Sequence, residues 1–476
     1  MQMDEIESIV RKILSDELNN TNSTMASSSN SKGHHGIFSN INDAIAAAKA
    51  AQEVYVDEPF EIRKKVIQAI KDGFKPYIEK IAQDIKEETG MGTVEAKIIK
   101  LNNALYNTPG PEILNPEAET GDGGLVMYEY SPFGVIGAVG PSTNPAETVI
   151  ANSIMMLAGG NTVYFGAHPG AKKITKWTIE KLNEFVVKAT GLQNLVVSIE
   201  EPTIESVQEM MQHPDIAMLS ITGGPAVVHQ ALVSGKKTVG AGAGNPPAIV
   251  DATANIALAA HNIVVSAAFD NNILCTAEKE VVVEKSVKDE LIDRMQQEGA
   301  FLVKNPEQID KLVQMTIQEN GTPSRKYIGK DATFILDSAN ISYTGNPKVI
   351  IFEAQKEHPL VKTEMLMPLL PIVCCPTFDD ALKTAVEVEN GCHHTASIHS
   401  ENLPHINRAA HRMNTSIFVV NGPTFCGTGL TEDGKKSGAS ALTIATPTGE
   451  GTCTAKTYTR RRRLNSPEGF SLRSWK

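Results

Sequence analysis

Residues Ser266–Glu280 read "SAAFDNNILCTAEKE", a run of small residues leading into Asp-Asn-Asn and then a single cysteine, Cys275. A free cysteine is among the most buried residue types and packs as a small hydrophobe. Its thiolate is also a strong nucleophile when a loop presents it to a substrate. The polar lead-in, followed at once by the strand-like "EVVVE", puts Cys275 at a helix-to-strand junction, where reactive groups concentrate. Two glycine-bearing turns could hold a phosphate-bearing ligand. "GAVGPSTNP" (137–145) opens a helix, and "SITGGPAVV" sets Gly223 and Gly224 between a strand and a helix, both arrangements that let backbone approach a dinucleotide. "GAHPGAKK" (166–173) is one residue too short for a P-loop and lacks the Ser/Thr after its lysine. "CHH" (392–394) has no spaced partner pair, so no metal site is expected. Cys374 and Cys375 lie in an apolar run and read as packing. The chain has no GxSxG elbow and no HExxH pair.

A chain of 476 residues is too long for one core, and its length suggests about three domains. Its net charge of −11 argues against a nucleic-acid surface, which needs clustered cations. The exception, "RRRR" at Arg460–Arg463, reads as a solvated strand or subunit contact. Six cysteines without CxxC pairs fit a reducing compartment rather than a disulfide framework. The acidic N-terminus lacks a secretory pattern, and "VIANSIMMLAGG" is too short and polar to span a bilayer, so a cytoplasmic protein with no membrane contact is expected.

The elements that would position these residues follow from periodicity. "MDEIESIVRKILSDEL" places Ile6, Ile9, Val10, Ile13 and Leu14 on one helical face, and residues 19–36 are too polar to fold, with His34 and His35 solvated. This amphipathic helix (1–18) on a linker (19–36) either docks on the body or binds another protein in a groove. Helical patterns fill Ile37 to about Gly110. "GLVMYEYS" then alternates like a half-exposed strand. Apolar runs at 134–140, 162–166, 194–199, 216–221 and 237–241, separated by helical windows, read as βαβ units in a parallel sheet. A second α/β segment begins near Asn255, with strands in "EVVVE", "KVIIFEA", "LLPIVCC", "TASIHS" and "SIFVV". The tail "TCTAKTYTRRRRL" alternates like an edge strand that must pair with "LVMYEYS" or another subunit.

In order and spacing, "GVIGAVGPSTNP", "LAGGNTVYFGAHPGA", "SITGGPAVV", "GAGNPPAIV", "FDNNILCTAEKEVVVE" and "TEMLMPLLPIV" resemble the aldehyde dehydrogenase superfamily. They are most similar to its CoA-acylating members from bacterial microcompartments, the propionaldehyde dehydrogenases of propanediol utilisation. The resemblance spans nearly the whole chain, including the N-terminal helix, which is similar to that group's encapsulation peptide. It implies an α/β fold of two Rossmann-like parallel-sheet lobes and a small oligomerisation flap. The implied division is an NAD-binding domain at 37–253 with a flap strand near 124–131, a catalytic domain at 254–440, and an oligomerisation strand and tail at 441–476. It implies that Cys275 attacks the aldehyde and that Asn144 and the Cys275 backbone N–H hold the oxyanion, donors worth roughly 3 kcal/mol each. Cofactor contacts carry over to Pro141, Ser142, Thr143, Thr222, Gly223 and Gly224, with Glu364 accepting from a ribose hydroxyl. His168 falls where hydrolytic relatives carry a ribose-contacting lysine.

One departure bears on the acyl acceptor. Hydrolytic members read "ELGGK" where this chain reads "AGAGN", so Ala241 stands at the glutamate that activates water and Asn245 at the lysine. Water, with a pKa of about 15.7, needs such a base; a thiol, with a pKa near 8.5, does not. The expectation is therefore NAD-dependent oxidation of a short aldehyde, propionaldehyde, to its acyl-CoA with coenzyme A as cosubstrate. It takes place inside a microcompartment, with residues 1–18 bound to a shell protein and the enzyme a homodimer or homotetramer. The rivals are a hydrolytic enzyme giving the free acid and a non-catalytic scaffold protein.

Overall fold

The computed structural model describes residues 33–467; the expected helix at 1–18 and most of the linker lie outside the described residues. Strand β1 (Ile37–Phe38) is followed by a helical segment, Ile41–Asn107, and by two flap strands, β2 (Glu117–Gly121) and β3 (Gly124–Pro132). Next come β4 (Val135–Val139), β5 (Thr162–Gly166), β6 (Val196–Ile199), β7 (Ile216–Thr222) and β8 (Lys237–Ala241), with a helix between each pair. They form one parallel sheet in the order β1-β6-β5-β4-β7-β8. The chain leaves β4 in one direction to β5 and β6 and returns on its other side with β7. The β4/β7 boundary is thus a topological switch point, where parallel sheets open a crevice for a ligand.

The second sheet is also parallel. It contains β9 (Pro247–Val250), β10 (Glu280–Glu284), β11 (Ala300–Leu302), β12 (Val349–Ala354), β13 (Leu369–Cys375), β14 (Thr395–His399) and β15 (Ile417–Val420), in the order β11-β12-β13-β10-β9-β14-β15. The change of lobe therefore precedes β9, earlier than the expected 253/254 division. "PPAIV" is not among the expected strands; proline cannot donate to a ladder, but Pro247 occupies the first position of the strand, where it is tolerated. Both sheets bury alternate residues on opposite faces. Ile136 and Ala138 join one core cluster and Val135 and Val139 another, and Val281 and Val283 pack opposite Val282. The two-residue period is sheet geometry made visible in burial.

The chain then returns to the first lobe. Ala445, Cys453, Ala455 and Tyr458 belong to its core, and the Tyr458 hydroxyl lies 3.0 Å from Ser220 Oγ. Residues 444–458 are thus part of the first lobe's packing, not of a tail. Only the C-terminal strand Thr459–Pro467 leaves it, pairing antiparallel with β3 along its whole length. Arg461 stacks 3.6 Å from the Tyr128 ring centroid and bonds Glu117 at 2.7 Å. In the single chain Arg460–Arg463 lie exposed along this strand. Cys375 is buried, whereas Cys374 is exposed on the other face of β13, which corrects its reading as packing. Among the described residues no helix is long and apolar enough to cross a membrane.

Candidate active site

The cysteine turn is built from strained residues. After the helix Ile256–Ala268, Asp270, Asn271 and Asn272 take left-handed backbone angles in succession, with φ of 50°, 55° and 63°. Asp and Asn visit this region more readily than other non-glycine residues, because their short side chains bond locally. Here every side chain is tied. Asp270 accepts from the Thr93 N–H at 2.8 Å and pairs with Lys100 at 2.5 Å and Lys97 at 3.3 Å. Asn271 Nδ2 donates to Gly329 O at 3.0 Å and Asp331 Oδ1 at 2.8 Å. Asn272 Nδ2 donates to Ala267 O and Glu278 O. Lys279 closes the turn, donating to Asn272 Oδ1 at 2.5 Å and to the carbonyls of Asn272 and Leu274 at 2.9 Å each. Between Asp270 and Val283 every residue is buried except Cys275, which keeps part of its surface open. A core thiol would show the opposite pattern.

Around Cys275 stand Gly244, Glu364 and His394, each just ahead of a strand of the second sheet. A Cβ on Gly244 would lie 2.9 Å from the Cys275 carbonyl oxygen and 2.7 Å from the His394 ring, so the close approach requires glycine. The Gly244 N–H donates to Glu364 Oε1 at 3.3 Å. Burial pushes the Cys275 thiol up to about 12, with Glu364 adding to the shift and Lys279 opposing it. Burial also raises Glu364 to about 7 against the pull of Lys279, and lowers Lys279 to about 8. It lowers His394 to about 4, so that ring is neutral at pH 7. The resting nucleophile is therefore a thiol, with a carboxyl group raised by burial and a neutral imidazole beside it.

From the first lobe, Pro141, Ser142, Thr143 and Asn144 follow β4 and Thr222, Gly223 and Gly224 end β7, flanking the switch point. Asn144 caps the helix Pro145–Ala158, and its Oδ1 accepts from Lys100 Nζ at 2.5 Å. Lys100 also pairs with Asp270, which anchors the cysteine turn, so one ammonium holds Asn144 and that turn together. The Gly223 N–H donates to the Ala241 carbonyl at 3.2 Å, setting Ala241 beside the glycines. Thr222 Oγ1 is buried with no hydrogen-bond partner. That orphaned hydroxyl, the glycines and the Glu364 carboxylate fit a nucleotide's phosphates and ribose. His168 follows β5; its Nδ1 accepts from the Gly170 N–H at 3.0 Å, and burial, then Arg325, depresses its pKa. Asn245 does not face the site. Its Nδ2 donates to Val361 O and Val388 O, tying the crossover between the lobes.

The site thus lies where the carboxyl ends of β4, β7 and β8 meet the amino ends of β9, β10, β13 and β14. Several of its residues escape sequence reading. Lys97 and Lys100, three apart in "VEAKIIKLN", look like a solvated stripe but are buried with Glu147 and Asp270. Their signal is that they share a helix with few other polar positions to spare for the interior. Lys279 and Gly244 leave no signal of their own. Among the described residues no group of three or more His, Cys, Asp or Glu side chains is placed to hold a metal ion; in "CHH", His394 packs on the cysteine turn, while His393 is exposed and its Nδ1 lies 3.1 Å from Asn414 O.

Comparison with known proteins bears on this arrangement. Residues 27–443 match the aldehyde dehydrogenase family. A propanal dehydrogenase (CoA-propanoylating) of Salmonella typhimurium is 45% identical over 99% of this chain and 100% of its own length. A propionaldehyde dehydrogenase from Rhodopseudomonas palustris, solved with bound CoA and an acylated cysteine, superposes with a TM-score of 0.89 at 42% identity, covering 92% of this chain and 100% of that one. A propionaldehyde dehydrogenase from the fucose utilisation microcompartment of Clostridium phytofermentans gives a TM-score of 0.89 at 43% identity, with the same coverage.

Proposed function

The chain belongs to the aldehyde dehydrogenase family, and from that premise we propose that it oxidises propionaldehyde to propionyl-CoA, with NAD and coenzyme A, through a thioester on Cys275. The observation that carries this reading is the locked turn on which Cys275 alone stays open, joined through Asp270 and Lys100 to Asn144. Cys275 Sγ adds to the aldehyde carbonyl, and its proton passes to the Glu364 carboxylate, the neighbouring group able to accept it. The Asn144 amide and the Cys275 N–H donate to the oxyanion of the thiohemiacetal, where preorganised donors count most. When bound, the nicotinamide cofactor supplies the hydride acceptor. Pro141, Ser142, Thr143, Thr222, Gly223 and Gly224 would hold it, with Glu364 accepting from its ribose and His168 beside it. The acyl group left on Cys275 passes to the CoA thiol, one thioester for another.

Ala241 supports the choice of acceptor. It is 4% exposed and carries no base at the end of β8, so water gains no activation there, which disfavours the hydrolytic rival. The assembly of a complete site disfavours the scaffold rival. The functional units proposed are residues 37–253, 254–440 and 441–476, although the sheets divide ahead of β9 and residues 444–458 pack in the first core. Residues 1–18 carry the enzyme to a microcompartment shell protein, and the strand Thr459–Pro467 with β3 contributes to a homodimer or homotetramer.

NADH absorbance with propionaldehyde and NAD, with and without CoA, tests the reading. Sustained turnover only with CoA is expected, and it should vanish in Cys275→Ala while NAD binding remains. Equal rates without CoA would make water the acceptor. Removing residues 1–18 should leave those kinetics unchanged and end co-purification with shell protein.

A further inference from the structure

One buried cation is not used by the reaction as written, yet it touches both halves of the site. Lys100 is 2% exposed and comes from the helix Val94–Asn102, outside both sheets. Its ammonium donates to Asn144 Oδ1 at 2.5 Å and approaches Thr143 O at 3.4 Å. It pairs with Asp270 at 2.5 Å and stands 3.3 Å from Glu147. An ammonium has donors only, whereas a side-chain amide has one donating and one accepting end. Turning the Asn144 amide over would bring its N–H groups against the ammonium, so the carboxamide oxygen is held toward Lys100. The amide nitrogen then points the other way. Its one intramolecular partner is Thr143 Oγ1 at 3.4 Å, long enough to leave donor capacity unspent.

We propose that Lys100 is a positioning residue for the acylation step: it fixes which end of the Asn144 amide faces the developing oxyanion, and through Asp270 it sets that amide in register with the Cys275 turn. The proposal rests on the reading of Asn144 as the oxyanion donor. It assigns Lys100 a task distinct from balancing charge, which Lys97 shares: Lys97 reaches Asp270 at 3.3 Å and forms no hydrogen bond to Asn144.

A double-mutant cycle on the full-length enzyme separates the two roles. The CoA-dependent NADH assay is run on wild type, Asn144→Ala, Lys100→Met and the double variant. Losing one oxyanion donor lowers kcat by about 10²–10³-fold. Lys100→Met is expected to lower kcat about tenfold or more with KM for NAD within about twofold, since it disorients a donor without removing a cofactor contact. In the Asn144→Ala background the same substitution should cost under about twofold, because no amide is left to aim. Losses that multiply would overturn the proposal and leave Lys100 a structural charge. If Lys100→Met does not fold, Lys100→Met/Glu147→Gln takes its place in the cycle, since Lys97 and Asp270 still neutralise each other there. A wild-type enzyme inactive with aldehyde, NAD and CoA would instead sink the proposed function.

Discussion

A thiol raised to about 12 is almost wholly protonated at neutral pH, so Cys275 at rest is protected from adventitious electrophiles. Below its pKa a thiol's thiolate fraction grows about tenfold per pH unit. Inactivation of the cofactor-free enzyme by iodoacetamide should therefore keep rising from pH 7 to pH 10, with Cys275 followed by peptide mass to distinguish it from exposed Cys374. A plateau near the ordinary thiol pKa of about 8.5 would show that burial does not govern this residue. The residue-level reading from sequence was best where chemistry and position coincide. Cys275 stood out because polar residues precede it, whereas Asn144 came only from the resemblance of its motif. Lys100, Lys279 and Gly244 could not be read that way. A lysine in a helix is ordinarily a solvated face, and a glycine close approach exists only once His394 and the Cys275 carbonyl are beside it.

At the scale of elements, the turn before Cys275 concentrates the cost of the site. Three successive left-handed residues strain the backbone, and the fold offsets this by giving each side chain buried partners. Asn271→Ala removes both hydrogen bonds and leaves a residue disfavoured at φ of 55°. The expected destabilisation is about 3 kcal/mol, from roughly 1 for the backbone and about 1 for each bond. Asn271→Gly keeps the backbone free and should recover about 1 kcal/mol of that. Urea unfolding midpoints of the two variants check it, and equal midpoints would remove strain from the explanation. Periodicity located the strands β4 to β8 because they are short apolar runs between helical windows. It passed over β9, where two prolines mask a strand of four residues, and β11, which has three. A three-residue strand carries too few residues for a period to emerge, and at β9 the prolines break the apolar run.

For the whole molecule, two parallel sheets facing end to end make the crevice, and the flap stands apart from both. The strand Thr459–Pro467 covers one edge of β3 and β2 the other, so removing residues 459–476 exposes an unpaired edge while sparing Tyr458 and the first core. Size-exclusion chromatography of that truncation should show a smaller assembly or edge-to-edge aggregates, with NAD binding retained; an unchanged assembly would place the subunit contact elsewhere. The sequence by itself determined the α/β class, the cysteine on its turn and the glycine-bearing turns. These are local matters of residue type, spacing and periodicity, and the resemblance of ordered motifs gave them a reaction. Only the tertiary structure decided that β9 opens the second sheet and that residues 444–458 complete the first core. It alone joined Lys100, Asn144 and Asp270, which are far apart along the chain, around one buried ammonium. Burial and charge pairing are properties of neighbours in space, and no local pattern along the chain encodes which neighbours will meet.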